Sequence, residues 1–507
     1  METLTQLFSN LAMGFGVAFT PAHLVAGVIG VIVGTAIGVL PGIGPAMTIA
    51  LLLPLTFGVE PITAFILFGG IYYGAMYGGS TTSILVNTPG ETASVVTTLD
   101  GYQMAKKGRA GAALATSAIG SFVAGTIATF GLMLLAYQLG EFALRFGPPE
   151  YFAIMVLALT VVTGLSGDSA PKTAFATLLG LGISMMGMDL QTAQPRYTFG
   201  LMDLLGGVDV VTAAIGLFAI CEVFWNAGTF KRIKEEAIFT VGSLLMTRDE
   251  WKRSIPAWLR GSFLGFIIGV LPGAGATVAT FLSYVMEKRI SKTPEKFGTG
   301  MIEGVAGPEA ANNASCGGAL VPLLALGIPG SGTTAVMLAA FQMYGLRPGP
   351  LLFSQNPELV WGLIASLYIG NVLLVILNLP LIGLWVKMLK TPKPLLFGSI
   401  LVFSALGIYG LSGSLAEMIV LFILGVVAFF LRRHDVPMAP VVLGVVLGPM
   451  IEQEYRRALV MSVGDPTIFV TRPISLTILV FTLISLFGPS IANAWMSRRN
   501  KRDTSGG

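Results

Sequence analysis

Gly38-Val39-Leu40-Pro41-Gly42-Ile43-Gly44 is repeated as Gly269-Val270-Leu271-Pro272-Gly273-Ala274-Gly275, and both copies stand inside apolar sequence. Proline removes a backbone donor and clashes with the preceding turn, while glycine loosens the chain, so a helix arriving at Val39 or Val270 stops there and a new one starts just beyond. At membrane depth, backbone groups freed by such a break survive only where they are buried in protein or line a cavity. The pair therefore marks a binding site if the chain lies in a membrane.

Composition places it there. Of 507 residues, 54% are hydrophobic and only 11% charged, against about a quarter charged in soluble domains. Apolar runs near 22–40, 112–138, 150–165, 170–188, 207–227, 358–386, 395–410, 415–431 and 474–496 are mostly long enough to cross a bilayer, which takes about 20 residues. The 64 glycines suit helices that approach closely where lipid supplies no hydrophobic drive between them. The fold class expected is an all-α polytopic integral membrane protein of roughly 10–12 spans. The net charge of +4 is scattered through loops, which argues against nucleic-acid binding. Cys221 and Cys316 stand far apart and make neither a disulfide framework nor a thiolate metal site. The N-terminus lacks a basic leader and is expected to be retained.

Further matches follow the opening pair in the same order. Asn87-Thr88-Pro89-Gly90 answers Gly327-Ile328-Pro329-Gly330, Gln103-Met104 answers Gln342-Met343, and Gly164-Leu165-Ser166-Gly167 answers Gly410-Leu411-Ser412-Gly413, all at roughly 240 residues' separation. A shared separation signals duplication. Short cytoplasmic loops collect Lys and Arg, and the charges of equivalent loops alternate. The Gly58–Pro61 loop has none while its partner carries Lys288, Arg289, Lys292 and Lys296; Lys106, Lys107 and Arg109 face a partner with only Arg347; Arg145 stands against Lys387, Lys390 and Lys393. The halves therefore read as inverted repeats with broken helices and re-entrant hairpins. The expected parts are a first repeat over 1–228, a cytoplasmic connector over 229–260, a second repeat over 261–473, and a final helix with a basic tail over 474–507. The N-terminus falls in the periplasm and the C-terminus in the cytoplasm. Arg456, Arg457 and Arg472 dissent, since this scheme leaves them outside.

Inversion brings the two tips together near the midplane, the geometry of secondary transporters. Ligand-holding residues are expected at the breaks: Gly42, Gly44, Gly273 and Gly275; the hydroxyls Ser80, Thr81, Thr82 and Ser83, read as the start of a half-helix; Asn87; Asn312 and Asn313; and Ser331, Thr333 and Thr334. Free helix N-termini attract anions, and hydroxyls and amides donate to carboxylates. The bland alternative is that these residues only pack helices together. No arginine lies within these stretches, so an anion would rest on dipoles, amides and hydroxyls. Carboxylates inside a membrane are functional suspects: Glu222 and Glu417 near predicted ends, and Glu303 and Glu309 as candidates for a coupling ion. His23 and His434 are isolated, and no nucleophile has a base beside it, which disfavours an intramembrane enzyme; a channel would need a continuous polar pore rather than paired breaks. Neither a catalytic residue nor a bound metal is expected.

The stretches 38–44, 69–111, 269–275 and 304–349, with Pro308-Glu309-Ala310-Ala311-Asn312-Asn313, resemble the large membrane subunit of tripartite tricarboxylate transporters over essentially the whole chain. The resemblance implies a carrier of the bacterial inner membrane, with no cofactor beyond Na⁺ or H⁺ as coupling ion. It also implies three kinds of partner: a small membrane subunit, a periplasmic substrate-binding protein, and a carboxylate substrate such as citrate.

Overall fold

The computed structural model describes residues 2–40, 43–165, 170–189, 192–228, 241–273, 275–389 and 392–486. Gly42, residues 229–240 of the expected connector, and 487–507 of the expected final helix and tail lie outside the described residues. The first half runs α1 (Glu2–Ala18), α2 (Pro21–Val39), α3 (Pro45–Leu52), α4 (Pro61–Leu85), α5 (Val95–Lys106), α6 (Ala110–Ala143), α7 (Pro148–Leu165) and α8 (Ala170–Ser184). A hairpin of β1 (Gly187–Met188) and β2 (Pro195–Arg196) follows, then α9 (Val210–Ala214) and α10 (Cys221–Gly228), joined by the π-helical turn Ile215–Ile220. The second half runs α11 (Arg248–Val270), α12 (Gly275–Ile290), α13 (Glu303–Leu326), α14 (Gly332–Met343), α15 (Pro350–Gln355), α16 (Pro357–Asn378), α17 (Ile382–Met388), α18 (Lys393–Ser412), α19 (Leu415–Arg433), α20 (Met438–Met461) and α21 (Ile468–Thr471), with an apolar helix at Pro473–Leu486. The chain is thus an all-α polytopic membrane protein. Seven described helices are long and apolar enough to cross a membrane. Helices α11, α13 and α20 are as long but carry charged or polar residues that lower their hydropathy; in α13 these are almost entirely buried.

The duplication recurs in the packing. A Cβ at Gly30, Gly34 or Gly38 of α2 would lie 2.2–2.5 Å from a backbone carbonyl oxygen of Leu67, Ile71 or Ala75 on α4. At Gly261, Gly265 or Gly269 of α11 it would lie 2.3 Å from that of Gly307, Ala311 or Ser315 on α13. In each half, then, a glycine every fourth residue lets two helices meet backbone to backbone, because residues four apart share one helix face. The long helices that follow these pairs are exchanged: α6 packs on α13, and α16 on α4. Helices α6 and α16 also touch and run antiparallel, with Trp361 beside Tyr137 and the Asn371 amide donating to the Phe122 carbonyl at 2.9 Å. Equivalent helices pointing in opposite directions make the repeat an inverted one.

The second half's first helix begins at Arg248, inside the span read as connector, because Thr247 and Glu250 form a capping box there. The dissenting arginines each meet an acid: Arg456 pairs with Asp189 at 2.7 Å and with Glu452, Arg457 with Glu454 at 2.7 Å, and Arg472 with Glu150 at 2.6 Å.

Candidate functional site

Helices α2 and α11 both end where their glycine- and proline-containing stretches begin. Helix α2 ends where the Leu40 N–H turns to Ile37 O, and Pro45 opens α3 behind Gly44. Helix α11 ends with the Leu271 N–H on Ile268 O. The chain then turns through Gly273 and Gly275 at φ +80° and +65°, conformations that favour glycine. The Gly273 N–H donates to Gly330 O at 3.0 Å, tying this tip to a second turn. That turn, and its counterpart at Gly90, each start another helix through a capping box, Ser331 with Thr334 before α14 and Glu91 with Ser94 before α5.

These four starts, with that of α20 at Pro437–Met438, line one cavity of about 660 Å³. Five helix N-termini therefore turn the positive ends of their dipoles toward the same space, an arrangement suited to a multiply charged anion. Thr277 donates to Thr92 at 3.1 Å, joining the two halves across the cavity, and Tyr72 shares a hydrogen bond with Ser331 at 3.2 Å.

Of the residues expected from sequence, Gly44, Gly273, Gly275, Ser331 and Thr333 line the cavity. Thr334 is buried one turn behind, completing the cap on Ser331. The reading of Ser80–Ser83 as a half-helix start is corrected. They occupy the last two turns of the continuous helix α4, and Ser80, Thr82 and Ser83 donate back to the Tyr77 and Gly79 carbonyls. Burial of α4 on nearly every side explains a polarity that looked incompatible with a span. Asn87 is exposed in the turn after α4, away from the cavity lining. Asn312 and Asn313 are fully buried within α13, which runs unbroken through Pro308. Asn312 stands behind the cavity wall and donates to Glu91 Oε1 at 3.2 Å. Glu303 is tied to Arg253 at the start of α13 by two hydrogen bonds of 2.5–2.7 Å. Glu309 is fully buried and accepts from Thr97 and Ser117.

Two site residues escaped the sequence reading. Glu91 puts a carboxylate in the cavity wall; its signal was its place directly after Pro89-Gly90. Arg432 overturns the expectation of a site without arginine. It lines the cavity from the end of α19, paired with Glu222 and lying 4.8 Å from the Trp225 ring centre. Asn226 steadies Glu222 with an amide hydrogen bond of 2.7 Å. No local pattern announces this arginine, because only the tertiary fold carries α19 to the breaks.

Broken helices from two inverted halves, closing on one cavity lined by helix N-termini, are the architecture of a multi-pass membrane transporter. The chain belongs to the tripartite tricarboxylate transporter TctA family, whose model matches residues 24–443. It is 47% identical over 500 residues, 99% of both chains, to an uncharacterized 52.8 kDa protein in the TAR-I ttuC′ 3′ region of Agrobacterium vitis. It is 46% identical over 239 residues, 47% of this chain and 97% of the relative, to an uncharacterized protein in the TAR-II ttuC′ 3′ region of the same organism. No solved structure matches it.

Proposed function

We propose that this chain is the large membrane subunit of a carrier that imports tricarboxylates or related citrate-like organic carboxylates across the bacterial inner membrane. A periplasmic binding protein delivers the substrate, a small membrane subunit accompanies the chain, and a Na⁺ or H⁺ gradient drives uptake. The observation that carries this reading is the convergence of five helix N-termini, with Arg432 at their edge, on one cavity between the two halves. The substrate rests on backbone N–H groups, on Ser331 and Thr333, and on Arg432. Loop charge favours a periplasmic N-terminus and a cytoplasmic C-terminus. The cavity is lined by the first turn of α10 at Cys221 and Glu222 and by Arg432 near the end of α19. Alternating access follows when the glycine-packed helix pairs move against the remaining helices.

Uptake of a labelled tricarboxylate into proteoliposomes, with and without the binding protein and the small subunit, tests this. The expected result is saturable uptake that needs an imposed cation gradient and is raised by both partners. Non-saturating flux that ignores both would mean a channel and end the carrier reading.

A further inference from the structure

Glu309 is absent from the cavity lining, yet it stands within α13 with no exposure. Its carboxylate oxygens are met only by hydroxyls, Oε1 by Thr97 of α5 and Oε2 by Ser117 of α6 at 3.2 Å. Among the described residues no lysine or arginine pairs with it. One turn further along α13, the Asn313 amide donates to Ser121 of α6 at 2.7 Å and to the Glu309 carbonyl at 3.2 Å. That orientation leaves Asn313 Oδ1 buried with no donor.

A buried carboxylate without a countercharge is costly, and so is a buried acceptor without a donor. One positive charge relieves both. A proton neutralises the carboxylate but serves a single acceptor, whereas a dehydrated hard cation binds several oxygens together, and every acceptor in this cluster is an oxygen. We propose that Glu309, Thr97, Ser117, Ser121 and Asn313 form a Na⁺ site distinct from the substrate cavity. Three helices from both halves contribute to it. Asn312, next in sequence to Asn313, donates to Glu91 in the cavity wall, so filling either site bears on the other through adjacent residues of one helix. The role of this Na⁺ in transport rests on the carrier reading; its binding does not.

The test uses the full-length protein purified in detergent without substrate, its melting temperature followed in NaCl, KCl and choline chloride at constant ionic strength. Na⁺ alone should raise the melting temperature saturably. Glu309→Gln should abolish that rise and Glu303→Gln should keep it, since Glu303 is held by Arg253. Thr97→Val and Ser117→Ala should each move the Na⁺ midpoint upward about tenfold, and they serve as the readout if Glu309→Gln does not fold. Equal melting in all three salts, a response to pH alone, or a full Na⁺ response in Glu309→Gln would overturn the proposal, as would unchanged midpoints in both hydroxyl variants. A protein that binds Na⁺ in this way but moves no carboxylate would sink the carrier reading and leave the site standing.

Discussion

Arg432 and Glu222 form an ion pair that joins α19 of the second half to α10 of the first at the edge of the cavity. An incoming carboxylate competes with Glu222 for this guanidinium. Hydrogen bonds to a charged group contribute about 1.5–3 kcal/mol, so Arg432→Gln should raise the half-saturating substrate concentration about 10- to 100-fold. Concentration-dependent uptake measures this, with surface expression as the control; an unchanged half-saturation would remove Arg432 from the site.

Glu91 and Thr81 should separate cleanly. Glu91 stands in the cavity wall, supported by Asn312, while Thr81 is buried in the last turns of α4 and does not line the cavity. Glu91→Ala and Asn312→Ala should each cut initial uptake at least tenfold, and Thr81→Ser should leave it within about twofold. The reverse ranking would place the ligand on the α4 hydroxyls instead.

The backbone contacts between paired helices predict a position-specific stability loss. A Cβ at Gly265 would lie 2.3 Å from the Ala311 carbonyl oxygen, whereas one at Gly16 meets nothing within 4 Å. Overpacking of this kind costs about 1–3 kcal/mol. Gly265→Ala should therefore melt several degrees below the wild type in detergent, and Gly16→Ala should melt with it.

Outside the spanning segments, Glu250 joins the start of α11 to Arg109 before α6. Partial burial works to raise its pKa, but hydrogen bonds from Arg109 and from the Thr247 backbone and hydroxyl outweigh it, and the carboxyl is held below the usual glutamate range. A depressed folded-state pKa stabilises the fold above the unfolded value, about 4.3, and that stability is lost as pH falls through the folded value. Melting temperature should therefore fall more steeply below about pH 4.3 in the wild type than in Glu250→Gln, with the two curves parallel above pH 6. Parallel curves throughout would leave this pair without a role in acid stability.

The sequence made the scaffold legible because its breaks are written in proline and glycine, which act locally. Helix α11 ends at Val270, directly before Leu271-Pro272-Gly273, where the Gly273 φ of +80° suits glycine, and the repeat then doubled the signal. Polarity misled at Ser80–Ser83 because hydroxyls that donate to carbonyls three or four residues back suit a helix interior as well as a helix start. Where α2, α6 and α16 cover a helix, polarity no longer marks a break. Arg432 lay beyond reach for the opposite reason. Next to Arg433 at the end of an apolar run it is indistinguishable in sequence from a loop cation, and its partner Glu222 is 210 residues away in the chain. The glycines of α2 and α11 were visible one by one, but their common spacing of four gained meaning only once α4 and α13 lay against them.

The exchange of long helices also sets a timetable for synthesis. Helix α6 is complete at Ala143, but α13, against which it packs, ends only at Leu326, about 180 residues later. At about 5–20 residues per second that interval is on the order of 10 to 40 s. Through it, Ser117, Ser121 and Asn371's future partner Phe122 must wait without their mates from the second half. Newly made protein is thus most exposed to quality-control proteases midway through translation, and a ribosome stalled after the first half would leave a polar, glycine-rich intermediate for the membrane to clear.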